Sequence, residues 1–180
     1  VFTRPRILIC CPSNITQVER NAIREVAESA GAKKVYVEEE PKVAAVGAGL
    51  DISAPSASMV IDIGGGTTDI AILSLGDIVN SKSIRVAGDL FNTEIIKYVK
   101  NKYKLLIGER TSEDVKIKIG TVYPDAKKEK MLIRGRDMIT GLPSSITISS
   151  KEVEEALHES IHKIVLATKS VLEETMPELS

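Results

Sequence analysis

The chain has 180 residues, 43% hydrophobic and 27% charged, a balance that suits a soluble globular fold of one ordinary domain or two small ones. Its 24 Lys and Arg face 25 Asp and Glu, and the net charge of -1 supplies no long-range pull toward nucleic acid, which is not expected as a partner. No stretch reaches the roughly 20 apolar residues of a spanning helix, and the first residues lack the basic and apolar regions of a signal peptide.

In chain order, the apolar run over 6–11 predicts a buried strand that ends at Pro12, Ser13 and Asn14. Its Cys10 and Cys11, the only cysteines, read as two buried thiols of a reducing cytosol. Val18, Ala22, Ile23, Val26, Ala27 and Ala30 recur at helical spacing, with Asn14 or Thr16 as cap and Gly31 as terminator. A strand over 34–37 follows, then an Ala-rich helix opened by Pro41, then a Ser- and Pro-containing crossing at 51–57.

Beyond that crossing, 59–63 predicts a second apolar strand, the three glycines at 64–66 a turn, and 69–75 a returning strand. Gly76 and Asp77 predict another hairpin with a strand over 78–86. Helices are expected near 90–102 and 112–119, short strands around 131–134 and 146–148, and a long amphipathic helix over 152–174.

The stretch Val60-Ile61-Asp62-Ile63-Gly64-Gly65-Gly66-Thr67-Thr68-Asp69 carries the chemistry. Three glycines between two strands leave backbone N–H groups open to close approach by a polyphosphate. Thr67 and Thr68 add hydroxyl donors, and Asp62 suits a Mg²⁺ ion that keeps most of its waters. Aspartates at both ends of such a turn are costly to bury without a cation.

Asp62 through Asp69 resembles the second phosphate loop of the superfamily that holds actins, sugar kinases and heat-shock chaperone ATPases. Longer matches narrow this: Arg4-Pro5-Arg6-Ile7-Leu8-Ile9, Gln17-Val18-Glu19-Arg20-Asn21-Ala22-Ile23-Arg24, Glu39-Glu40-Pro41, Leu105-Leu106-Ile107-Gly108-Glu109-Arg110-Thr111 and Ile133-Arg134-Gly135-Arg136-Asp137. Together they resemble the MreB family of bacterial actins, over essentially the whole chain.

The resemblance implies an α/β, actin-like (ribonuclease H-like) ATPase fold, present in part as the end of the first lobe and most of the second. Its divisions would be 1–55 in the first lobe, 56–89 as second-lobe core with the phosphate hairpin, 90–150 as a small outer subdomain, and 151–180 as a helix returning to that core. It implies ATP and Mg²⁺ as cofactors, Glu40 as the residue orienting the attacking water, Gly64, Gly65, Gly66, Thr67 and Thr68 at the phosphates, and Gly88 with Asp89 beside the nucleotide cleft. Glu113 and Lys116 match the ribose and adenine side, and Asp62 the metal.

As function it implies membrane-associated filaments of the protein itself that organise cell-wall synthesis and cell shape, with weak ATPase activity. The expected partners are other copies, the inner membrane surface and the cell-wall elongation machinery, and the location is cytoplasmic and peripheral to the membrane. Phe2 resembles the family's lipid-dipping loop. Lys42, Asp69 and Lys118 depart from the usual pattern, with Lys42 expected near the water site. The family's first phosphate loop and its adenosine loop find no counterpart here, so an internal piece with weak nucleotide binding is expected.

Other readings compete. A chaperone-type or FtsA-like ATPase shares the loop, although 105–111 favours MreB. A sugar kinase requires a base for a sugar hydroxyl that the sequence does not offer, and a truncated piece would have no activity of its own. His158-Glu159-Ser160-Ile161-His162 fits H-E-x-x-H, the zinc protease pattern, but no third histidine exists and the pair borders an apolar helical stripe.

Overall fold

A computed structural model describes residues 4–123 and 128–175. Phe2 lies outside the described residues.

The described chain falls into two compact units, the first drawn from Val1–Ile63, Thr67–Arg85 and Leu166–Ser180, the second from Gly64–Gly66 and Val86–Val165. In the first, β1 (Arg6–Cys11) pairs in parallel with β2 (Lys34–Glu39) through α1 (Gln17–Ser29). Thr16 caps α1 by accepting from the Glu19 N–H, while Glu19 accepts from the Thr16 N–H at 2.7 Å, a reciprocal arrangement that satisfies two helix-end donors.

β1 is buried on one face only. Ile7, Ile9 and Cys11 pack with Val35, Val37 and Ala27, whereas Leu8 is 55% exposed and Cys10 is exposed. The expectation of a fully buried strand with two buried thiols is therefore corrected: period-two alternation turns every second side chain away from α1.

α2 (Glu40–Gly47) opens with Pro41 in its first turn, where a missing N–H costs nothing. β3 (Ser58–Ile63), β4 (Thr68–Ser74) and β5 (Asp77–Ile84) form an antiparallel sheet in sequence order. β4 is central and buried along its whole length. Leu75 and Gly76, with φ of 53° and 84°, make the two-residue β4–β5 turn, the left-handed pair that matches sheet twist. Ile70 and Ile72 on one face of the sheet pack with Ala167 and Val171 of α5 (Ser150–Glu173). α2 also packs against β3 and β4.

In the second unit, α3 (Gly88–Tyr103) and α4 (Glu109–Ile119) pack together, and β6 (Leu105–Leu106), β7 (Lys130–Asp137) and β8 (Pro143–Ser149) form an antiparallel sheet. Phe91, Ile95 and Val99 of α3, Val115 and Ile119 of α4, and Ile133 and Ile148 of the sheet are buried. Gly135 is fixed by packing: a Cβ there would strike the Leu106 carbonyl oxygen and come within 2.9 Å of the Leu105 side chain. That close approach explains the glycine in Arg134-Gly135-Arg136. No helix among the described residues is long and apolar enough to cross a membrane.

Candidate functional site

The sequence-predicted residues divide between the units, and each set stands by itself. In the first unit, Ile63 pairs with Thr68, and the next pair out is Asp62 with Asp69. Directly opposed residues share a face, so both aspartates project from the same side of the hairpin, and like charges so placed repel. Asp62 is half-buried, while Asp69 is 2% exposed.

Glu40 begins α2 and is half-buried. Burial, then the charge of Asp69, then that of Asp62 push its carboxyl above the ordinary value, so it holds a proton more readily than a free glutamate. A carboxylate of raised basicity is suited to accept a proton from water. The neighbouring acids are not a solvated run: Glu38 and Glu39 are half-buried, and Glu39 pairs with Arg20 at 3.2 Å.

Thr67 is half-buried and Thr68 fully buried at the start of β4. Lys42 does not approach the acids as expected; its ammonium lies 2.8 Å from Asp77 beside the β4–β5 turn. Lys118 pairs with Asp114 one helical turn away, at 3.2 Å.

In the second unit, Gly64, Gly65 and Gly66 are exposed. The Gly64 carbonyl accepts from the Gly88 N–H at 3.1 Å and the Gly65 carbonyl from the Asp89 N–H at 2.9 Å. None of the three glycines has a positive φ, a Cβ on Gly66 would meet nothing within 4 Å, and one on Gly65 would meet only ordinary contacts with Asp89. Neither backbone conformation nor packing in the unit requires glycine at 65 or 66. Bare N–H groups at such positions are open to close approach by an anion such as a phosphate.

Gly88 opens α3, whose cap residue Ala87 offers no side-chain acceptor, and the first two N–H groups of this 16-residue helix are taken by the carbonyls of the glycine turn. Lys116 donates to the Gly88 carbonyl at 3.1 Å, which puts a cation beside that helix start. Glu113 is exposed and forms no ion pair with Lys116, so the ordinary helical pair that the spacing allowed is not made. Lys116 is recruited to the glycine backbone instead.

The sequence reading named Asp69 as a flanking acid and as a departure from the family pattern. Counting outward from the turn would have exposed its opposition to Asp62, because a four-residue loop closed by Ile63 and Thr68 fixes the next pair. Its near-complete burial carries no local signal. Among the described residues, no group of three or more His, Cys, Asp and Glu side chains is assembled to hold a metal unaided. A mostly hydrated Mg²⁺ that borrows one or two carboxylates does not need such a group, and the oxygen donors at Asp62 suit it. The His158 and His162 rings stack 6.5 Å apart on the exposed side of α5.

A family model described as MreB/Mbl protein matches residues 1–180. The cell shape-determining protein Mbl of Bacillus subtilis is 65% identical over 180 residues, covering 100% of this chain and 54% of that protein. The cell shape-determining protein MreB of Escherichia coli is 48% identical over 176 residues, or 98% of this chain and 51% of that one. A crystal structure of MreB5 of Spiroplasma citri bound to AMPPNP matches with a TM-score of 0.92 at 47% identity, over 96% of this chain and 52% of that chain. The chain spans about half the length of the curated relatives it matches. The expected actin-like α/β fold, present in part, is borne out.

Proposed function

The chain belongs to the MreB/Mbl family, and from that premise we propose that it carries the phosphate- and Mg²⁺-binding part of an ATP-binding bacterial actin that polymerises to shape the cell. The observation that carries this reading is the exposed Gly64–Gly66 turn, in which neither conformation nor packing demands a glycine at 65 or 66. The AMPPNP-bound state of the Spiroplasma relative supports the same reading.

Each group has a task. The N–H groups of the turn take the phosphates, with Thr67 supplying a hydroxyl. Lys116 holds Gly88 in place and, with Glu113, takes the ribose and adenine side. Asp62 holds Mg²⁺, which when bound neutralises phosphate charge. Glu40 orients a water and accepts its proton; phosphoryl transfer asks a protein chiefly for such placement and charge stabilisation. Turnover is slow.

Head-to-tail contacts between copies build an open polymer, and a polymer multiplies weak contacts with the inner membrane surface and the cell-wall elongation machinery into durable ones. The protein works in the cytoplasm at the membrane's inner face. Sedimentation of the longest natural form of the protein tests the assembly step. We expect pelleting and filaments in electron micrographs with ATP and Mg²⁺. A protein that binds ATP yet stays in the supernatant under every nucleotide condition would remove the filament role.

A further inference from the structure

The second unit carries a histidine pair that the nucleotide reading does not use. His158-Glu159-Ser160-Ile161-His162 lies in the first half of α5, where Leu157, Ser160 and Ile164 are buried and both histidines are exposed. Residues four apart in a helix are neighbours on one face, with Cβ atoms about 5–6 Å apart. The rings follow that spacing, with centroids 6.5 Å apart and planes within 8° of parallel. Among the described residues neither ring makes a hydrogen bond or an ion pair, although Glu154, Glu155 and Glu159 lie within one helical turn. Glu155 accepts instead from the Tyr98 hydroxyl at 2.6 Å.

A neutral imidazole keeps a lone pair on one ring nitrogen and is the commonest metal ligand in proteins. Two such nitrogens, on side chains free to turn in solvent, can meet a shared ion at about 2 Å each. Lys151, Glu154, Glu155 and His158 line a shallow hollow beside the pair, which leaves room for waters on that ion. The three glutamates outnumber Lys151 and Lys163 along this stretch, so the local charge favours a cation.

We propose that His158 and His162 form a two-histidine clip for a borderline transition-metal ion, of the Zn²⁺, Ni²⁺ or Cu²⁺ kind, on the exposed face of α5. Imidazole nitrogen selects such ions over Mg²⁺, so the clip does not draw on the cation of the nucleotide. Water completes the coordination, since no third His, Cys, Asp or Glu is assembled with the pair among the described residues. That open shell separates the clip from structural zinc sites, which four protein ligands close, and from peptidase sites, which use three. The two nitrogens converge only while this turn is helical, so a bound ion favours the folded helix. The clip stands apart from the nucleotide reading, and neither depends on the other.

The test is calorimetric titration of Zn²⁺ into the longest natural form of the protein, free of nucleotide and with Mg²⁺ in excess. Wild type should bind Zn²⁺ with micromolar affinity. His158→Ala and His162→Ala should each weaken that binding at least about tenfold, and the double variant should lose little more, because one histidine alone does not chelate. Alanine suits an exposed helical position, so all three variants should keep the wild-type Tm in EDTA. Cys10→Ser, which removes an exposed thiol as a rival ligand, should leave Zn²⁺ binding unchanged. No Zn²⁺ binding by wild type, wild-type affinity in the double variant, or a loss confined to Cys10→Ser would overturn the inference.

Discussion

Two shielded carboxylates, one in each unit, meet opposite fates. In the second unit, the side chain of Glu152 is 14% exposed, and it accepts from Tyr103, from Lys102 at 2.8 Å, and from the Ser149 N–H and hydroxyl at 2.9 and 2.7 Å. Burial alone would raise its pKa, yet these donors outweigh burial and bring it down to about 2. In the first unit, Asp69 is more deeply buried and has an oxygen with no donor among the described residues. Glycines divide in the same way. Gly76 and Gly141 have positive φ and Gly135 faces a carbonyl at contact, so the fold accounts for all three, whereas Gly65 and Gly66 answer no such demand. Residues the fold explains mark structure, and residues it leaves unexplained are the ones the proposed function has to account for.

The largest expected effect is on the satisfied acid. Glu152→Ala strips partners from Tyr103, Lys102 and Ser149 at once and should destabilise the protein by about 3 kcal/mol in urea unfolding. A loss under about 0.5 kcal/mol would put Glu152 among ordinary surface acids and break the contrast.

The same residue gives a pH signature. Its folded pKa of about 2 lies below the ordinary 4.5, so its contribution is complete above pH 4.5 and disappears as pH falls through 2. After allowance for solvent screening, about 2 kcal/mol of acid-sensitive stability should be present in wild type and absent in Glu152→Gln.

Next come the glycines. Gly135→Ala must move the β6 backbone and should cost about 2 kcal/mol. Gly66→Val should change stability by less than about 0.5 kcal/mol while weakening ATP binding at least roughly tenfold. Equal stability losses for both would erase the distinction. The smallest effect sits at Leu75, which is 72% exposed with φ of 53°. Leu75→Asn should stabilise by about 0.5 kcal/mol, because asparagine tolerates that conformation better, as urea midpoints would register.

Much of the fold was legible because it is written locally. The capping pair Thr16 and Glu19, Pro41 opening α2, the apolar strands around the glycines and the long α5 all follow from spacing and turn chemistry. β6 was not legible: two residues carry no period, and the strand exists through pairing with Arg136 and Asp137 and through the space Gly135 leaves. α4 begins at Glu109, ahead of the predicted start, since Gly108 in an extended conformation serves as cap without any capping side chain.

At the site, the glycine loop and Asp62 were legible as chemistry, while Glu40, Gly88, Glu113 and Lys116 came from resemblance. Two features depended on tertiary structure and had no local mark: the reach of Lys116 to the Gly88 carbonyl, and the burial of Asp69. Lys42 shows the converse, a charge near the water residue in sequence whose ammonium is bound by Asp77.

Calorimetric titration of ATP and Mg²⁺ into the longest natural form of the protein, with Asp62→Ala and Gly66→Val beside it, tests the central claim most directly. Saturable binding by wild type that is lost in Asp62→Ala and weakened in Gly66→Val, with both variants folded, is the predicted result. Wild-type heats no greater than dilution, or binding unchanged in both variants, would contradict it.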